Sequence, residues 1–237
     1  MNFSADIFKN TVQEPPLQFT GDLMRSFSFQ METVIAGEVQ KFHEQGLTVD
    51  YVEIAPEDNI FERVESYLGV ESHIALANDE FIDEVFTEKL PNLIRRSAFQ
   101  TIYSTYEIEL LKLCQRYETI LGGKKLSSLK TAGLAKATDF ACHHFPQLEN
   151  STEQTLLNEM RKLRNQCIHD DAKAYRKNDI PISEVHNFLS RTSNLIHLSG
   201  GNNAGKYIVF EKGSLEFIID AFETYVMKLD GMVRKRT

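Results

Sequence analysis

The segment SAFQTIYSTYEIELLKLCQRYETIL (97–121) constrains this chain more than any other. Its large side chains Phe99, Ile102, Tyr103, Tyr106, Leu110, Leu113 and Tyr117 recur at steps of three and four. On a helix of 3.6 residues per turn these positions form one apolar stripe, the face that packs into a core. The spacing therefore predicts a long buried helix.

Around it the pattern reads as helix after helix. Residues 28–45 suit a helix stopped by Gly46, and Pro56-Glu57-Asp58 opens one that runs to Leu68. The stretch from Asn78 to Leu121 is interrupted near Pro91 and ended by Gly122-Gly123. Leu126–Phe145 is stopped by Pro146. Thr152 caps the next helix, which has Thr155 where a capping box needs Glu or Gln and runs to about Ala174. Ile182–Leu198 and Leu215–Leu229 follow. Residues 1–25, with Pro15-Pro16, read as irregular. LTVDYVEIA (47–55) alternates as a short strand does, and YIVF (207–210) is a short apolar run. The expectation is a mainly α fold: a helical bundle over 80–237, an N-terminal extension over 1–79, and at most one or two short strands.

A chain of 237 residues with 42% hydrophobic residues can bury a core without covalent staples. Its three cysteines, Cys114, Cys142 and Cys167, are odd in number and lack CxxC spacing, which argues against a disulfide framework and a thiolate zinc site. HExxH and HxxxH pairs are absent, and His143-His144 point to different helical faces. No metal or other cofactor is expected. SGGNNAGK (199–206) lacks the Ser/Thr and the preceding strand of a phosphate loop and reads as a connector. No apolar run approaches the ~20 residues of a membrane span, and the N-terminus has no secretory pattern, so no membrane association and a cytoplasmic location are expected.

Charge is unevenly spread. The net charge is −8, yet residues 161–177 carry Arg161, Lys162, Arg164, Lys173, Arg176 and Lys177 against Asp170 and Asp171. Residues 51–90 hold 11 acidic and 2 basic residues. Such asymmetry marks either a local polyanion site on an acidic body or a solvated helix face.

The basic run lies in TEQTLLNEMRKLRNQCIHDDAK (152–173). Leu156, Met160, Leu163 and Cys167 fall on one stripe, the core face. Leu157, Arg161, Arg164 and Ile168 lie on a second face that mixes apolar groups with cations, as interfaces do. Asn165 and His169 are i, i+4 neighbours, whereas Arg164 and His169 are about 140° apart on an ideal helix. These residue types permit RNA transesterification. His169 can exchange a proton near neutral pH, Arg164 can stabilise charge on the phosphoryl oxygens, and Asn165 can orient the imidazole. An ion pair of the Arg or His with Asp170 or Asp171 is the structural alternative.

Arg164-Asn165-Gln166-Cys167-Ile168-His169 resembles the Rx4-6H motif of the HEPN superfamily, which includes ribonuclease toxins and abortive-infection effectors. The helix IYSTYEIELLKLC (102–114), with Tyr106-Glu107, is similar to the first helix of HEPN proteins in defence systems. The likeness spans roughly residues 80–230. It implies a HEPN-like helical bundle and a metal-independent endoribonuclease that acts as a toxin or antiviral effector. Arg164, His169 and Asn165 would be catalytic, with Glu107 as an accessory. Arg161, Lys162, Lys173 and Arg176 are the candidate RNA contacts. The implied partners are RNA, a second copy of the chain completing the site, and a cognate antitoxin or defence-system protein. Two other readings stand beside it: a non-catalytic HEPN module that binds a nucleotide or protein, and a scaffold whose acidic 51–90 stretch recruits a basic partner.

Overall fold

The computed structural model describes residues 15–77, 81–175, 180–199 and 206–236. The chain divides into two compact units, Ser28–Ala98 and Met1–Phe27 with Phe99–Thr237. The stretch before residue 80 thus contributes to both.

The fold is mainly α, with two small antiparallel sheets. Helix α1 (Gln18–Gln45) begins one residue after Pro15-Pro16, so residues 18–25, expected to be irregular, are helical. The prolines set where it starts and do not break it.

The smaller unit departs most from expectation. β1 (Thr48–Ala55) pairs with β2 (Ile60–Tyr67), and β2 with the short β3 (Val70–Glu71). No helix runs from Pro56 to Leu68. Ile60, Phe61, Val64 and Tyr67 mimic helical spacing, but Pro56–Asp58 form a tight turn that folds β2 back on β1, and strand pairing overrides the local pattern. Leu68 (φ 49°) and Gly69 (φ 80°) make the next hairpin turn. The core here is aromatic: Phe42 stacks on Phe86 at 5.3 Å and meets Tyr67 edge-on at 4.9 Å. Glu32 and Arg95 form a two-pronged ion pair with both bonds at 2.8 Å. The outer hairpin leaves Tyr51, Val52, Ile54 and Phe61 exposed among acidic residues.

α2 (Ser72–Ala77) and α3 (Ile82–Glu84) follow. A wider π-type turn over Val85–Lys89 leads into α4 (Leu90–Leu121). Pro91 therefore sits in the first turn of α4. The missing proline N–H and its steric demand are absorbed by the widened turn, and the helical run continues through it.

The larger unit is organised by the stripe of α4. Phe99, Ile102, Tyr103, Tyr106, Leu110, Leu113 and Tyr117 are all 5% exposed or less. They pack with α5 (Gly133–His144), α6 (Thr152–His169) and α8 (Ser214–Arg236). Tyr106 stacks on Phe222 of α8 at 4.8 Å, and the Tyr117 hydroxyl donates to Asp230 at 2.5 Å. α5 is shorter than the expected 126–145 because Leu126–Ser128 is a separate tight turn. α7 (Ser183–Arg191) stops at Thr192, whose hydroxyl bonds back to the Phe188 carbonyl. The expected helix over 192–198 is instead a turn and a strand, β4 (Ile196–Leu198), paired with β5 (Ile208–Phe210). Residues 200–205 of the glycine-rich connector lie outside the described residues. Cys114, Cys142 and Cys167 are free thiols. Among the described residues no helix is long and apolar enough to cross a membrane.

Candidate functional site

The candidate site is built on α6, and the start of α6 is fixed by its cap. Ser151, not Thr152, is that cap: its Oγ accepts from Gln154 N at 3.3 Å. Counted from Ser151, the third residue is Gln154, whose Oε1 accepts from Asn150 N at 2.7 Å. This is the reciprocal arrangement of a capping box, shifted one residue outward. It was legible as Ser-x-x-Gln in the sequence.

The helix ends at His169 and not near Ala174. The Gln166 carbonyl accepts from both Asp170 N and Ala172 N, and Asp171 (φ 50°) and Ala172 (φ 59°) turn the chain left-handed. Ala172 and Ala174 are fully buried. The Ala172 carbonyl accepts from Ile208 N at 2.9 Å, and Lys173 bridges Tyr207. Continuing the helix would forfeit this pairing, and small alanine side chains permit the close approach. His169 is thereby left as the last helical residue, exposed to solvent.

Met160, Leu163 and Cys167 are buried as the core stripe requires, whereas Leu156, assigned to the same stripe, is only half-buried. Leu157, placed on the second face by sequence, is also fully buried. It belongs to the core of a single chain and is not offered to a partner. Ile168 remains 40% exposed.

Arg164 is half-buried. Its guanidinium carbon lies 5.8 Å from the centroid of the Tyr103 ring, within the range of a cation–π contact. Its Nη1 donates to Asn165 Oδ1 at 3.3 Å. Its Nε is buried with no hydrogen-bond partner among the described residues, and the same holds for Arg161 Nε and the Tyr103 hydroxyl. Burial raises the pKa of Tyr103, the Glu107 carboxylate adds to the rise, and Arg161 and Arg164 oppose it. Tyr103, Glu107, Arg161 and Arg164 therefore form one electrostatic cluster at the α4–α6 seam. Tyr103 reads from sequence as core alone. The one signal of a second role was its position four residues before Glu107.

Glu107 is engaged elsewhere as well. Its Oε2 accepts from Leu134 N at 2.9 Å, anchoring the start of α5. Gly133 (φ 55°) makes this approach feasible, since a Cβ there would stand 2.7 Å from the same oxygen.

Not all the predicted residues converge. Asn165 bonds to Arg164 and makes no hydrogen bond to His169 among the described residues. Asp170 accepts from Gln166 Nε2 at 3.0 Å, and among the described residues no ion pair joins it to Arg164 or His169. Lys162 and Lys173 are exposed. Arg176 lies outside the described residues. What the arrangement offers chemically is a braced guanidinium and a free imidazole on successive turns of one helix.

No family model, curated protein or solved structure matches this chain.

Proposed function

We propose that this protein is a HEPN-type endoribonuclease acting as a toxin or antiphage effector. It would cut RNA by attack of a ribose 2′-hydroxyl on the adjacent phosphate. The observation that carries the reading is the placement of Arg164: half-buried against Tyr103 and tied to Asn165, it shares a helix end with the exposed His169.

In this reaction His169 takes the proton of the 2′-hydroxyl. The 2′-oxygen forms a bond to phosphorus as the bond to the 5′-oxygen breaks. A second imidazole gives the leaving 5′-oxygen its proton, and the products are a 2′,3′-cyclic phosphate and a 5′-hydroxyl. Arg164 stabilises the charge that builds on the phosphoryl oxygens. The balance calls on no metal. Lys162, Lys173 and Arg176 would meet flanking phosphates, with the half-buried Arg161 behind them.

The second imidazole comes from a second copy of the chain. His169 has no orienting partner among the described residues of one chain, and Ile168 beside it is 40% exposed. Both features suit a homodimer joined at this end of α6, with Leu157 excluded from the interface. A cognate antitoxin or defence-system partner would restrain the activity.

The test is cleavage of labelled RNA in excess EDTA, with a 2′-O-methyl strand alongside. Cutting should persist in EDTA and fail on the 2′-O-methyl strand. Loss in EDTA with recovery in magnesium, or cutting of the modified strand, would overturn the mechanism.

A further inference from the structure

The sheet of the smaller unit has a free edge. In the order β1-β2-β3, β1 is flanked by a strand on one side alone. Among the described residues, Thr48–Ala55 make no backbone hydrogen bond outside the β1–β2 pairing. Every residue of β1 is exposed except Ala55, which is half-buried. Such an edge presents a row of unpaired N–H and C=O groups, the template on which a further strand adds. The register is regular from Thr48↔Ser66 to Glu53↔Phe61 and is broken by a bulge beyond Glu53. The regular edge is therefore residues 48–53, about 20 Å long at about 3.3 Å per residue.

The side chains of this hairpin are of two kinds. Val49, Tyr51, Val52 and Ile54 of β1, with Ile60 and Phe61 of β2, are 43–69% exposed. Residues 48–67 also hold six carboxylates against one cation, Arg63, which pairs with Glu65 at 2.5 Å. Asp50, Glu53, Glu57, Asp58 and Glu62 are exposed, with no cationic partner among the described residues. Charge on an edge can serve simply to keep copies of a chain apart, and that accounts for the carboxylates. It leaves the apolar groups unaccounted for, because an edge guarded by charge has no use for two exposed aromatic rings. The two kinds interleave along β1. Side chains alternate between the faces of a strand, so Asp50 and Val52 share one face, and Tyr51 and Glu53 the other. Each face thus offers a carboxylate beside an apolar group.

We infer that this edge binds an extended basic segment of another protein, which adds to β1 as a further strand. Main-chain hydrogen bonds to residues 48–53 hold the segment, and its side chains set specificity. Directly opposite side chains on one face are the pairs that interact across strands. The segment therefore carries apolar residues opposite Tyr51 and Val52, and Lys or Arg opposite Asp50 and Glu53. The recognised pattern is two apolar residues between two basic ones, in either strand direction. A second copy of the chain is the occupant that charge disfavours. Antiparallel pairing of β1 with itself that sets Tyr51 against Val52 also sets Asp50 against Glu53, and like charges directly opposite are destabilising. Two hairpins, each with six carboxylates and one arginine, would meet at such an interface. The inference stands apart from the ribonuclease reading, whose residues all belong to the other unit.

The experiment uses the full chain and the capped peptide Thr-Lys-Val-Val-Lys-Thr, followed by amide hydrogen exchange and by anisotropy of a labelled copy. Two further peptides serve as controls: one with Glu in place of both Lys, and a fully N-methylated form that keeps every side chain but has no backbone donor. The Lys peptide should slow exchange of amides within residues 48–53, and its binding should weaken as salt is raised. Asp50→Lys/Glu53→Lys should weaken the Lys peptide on the order of ten-fold and bind the Glu peptide in its place. Tyr51→Ser/Val52→Ser should weaken the Lys peptide as well. Melting curves confirm folding, and Asp50→Asn/Glu53→Asn gives the same comparison should the charge reversal not fold. Four results would each overturn the inference. They are no protection of 48–53 by the Lys peptide, equal binding of the N-methylated form, and a folded charge-reversed variant that binds the Lys peptide like wild type. The fourth is protection of the same amides that grows with protein concentration in the absence of peptide, which would assign the edge to a second copy.

Discussion

The Arg164 guanidinium is braced on the Tyr103 ring, 5.8 Å from its centroid, and this contact couples the core stripe of α4 to the motif of α6. Removing the Tyr103 hydroxyl separates ring from oxygen. That hydroxyl is buried without a hydrogen-bond partner among the described residues. Tyr103→Phe should thus be neutral or stabilising by up to about 1 kcal/mol, and cleavage should be retained. Tyr103→Leu removes the ring, and should lower both melting temperature and cleavage. A Phe variant as inactive as the Leu variant would show that the hydroxyl, not the ring, matters.

His169→Ala and Arg164→Ala test the chemistry directly. Losing a positioned acid or base costs ~10²–10⁴-fold, and losing a charge-stabilising donor roughly 10²–10³-fold. The double variant should lose less than the product of the two. His169 is exposed, so His169→Ala should melt within about 0.5 kcal/mol of wild type. Arg164 is half-buried and stacked, so Arg164→Ala should also cost about 1 kcal/mol of stability. A destabilised but equally active His169→Ala protein would sink the catalytic reading.

These residues also show what a linear reading can and cannot reach. The α4 stripe was legible because its burial is set by helical period alone. The end of α6 was not, because His169 is terminal only by virtue of backbone pairing between Ala172–Ala174 and the distant segment 206–208. Leu157 was misplaced for a related reason. A helix covered on more than one side buries more than a single stripe, and the angular position of a residue does not reveal how many neighbours its helix has. The β1–β2 hairpin was half-read, since Val64 and Tyr67 lie three apart, a step that a helix puts on one face, whereas the strand puts them on opposite faces and both are buried there.

Ser151→Ala should destabilise the protein by about 1 kcal/mol, with Thr152→Ala within error of wild type, because Ser151 makes the cap bond. Equal costs for both in denaturant titration would place the cap on Thr152.

Leu68→Asn should stabilise. Leu68 is 72% exposed at φ 49°, a left-handed conformation disfavoured for leucine and tolerated by asparagine, beside Gly69 in a two-residue hairpin turn. The gain should be about 1 kcal/mol in thermal unfolding. A lower melting temperature would mean that Leu68 packs in a way its exposure conceals.

The last prediction concerns pH and the small β4–β5 sheet. His197 Nε2 lies 2.8 Å from Glu211 Oε1, and its Nδ1 lies 2.9 Å from the Leu198 carbonyl. Burial works against the protonated form, but the Glu211 hydrogen bond and the Leu198 carbonyl outweigh it, so the pKa of His197 is raised. A raised folded-state pKa means that the folded protein binds the proton more tightly than the unfolded chain does. The stabilisation is therefore fully present below the unfolded value near 6.5, and it is lost as pH rises through the folded value. Because the His197 side chain is 37% exposed, screening by solvent should hold the effect below about 1 kcal/mol. Hydrogen exchange of the Glu211 amide, which donates to the Leu195 carbonyl beside this pair, should accordingly be slower at about pH 6 than at about pH 8, after correction for intrinsic exchange. His197→Gln, which keeps a hydrogen-bonding side chain but cannot titrate, should remove that difference. Persistence of the full difference in the Gln variant would assign the titration to another group.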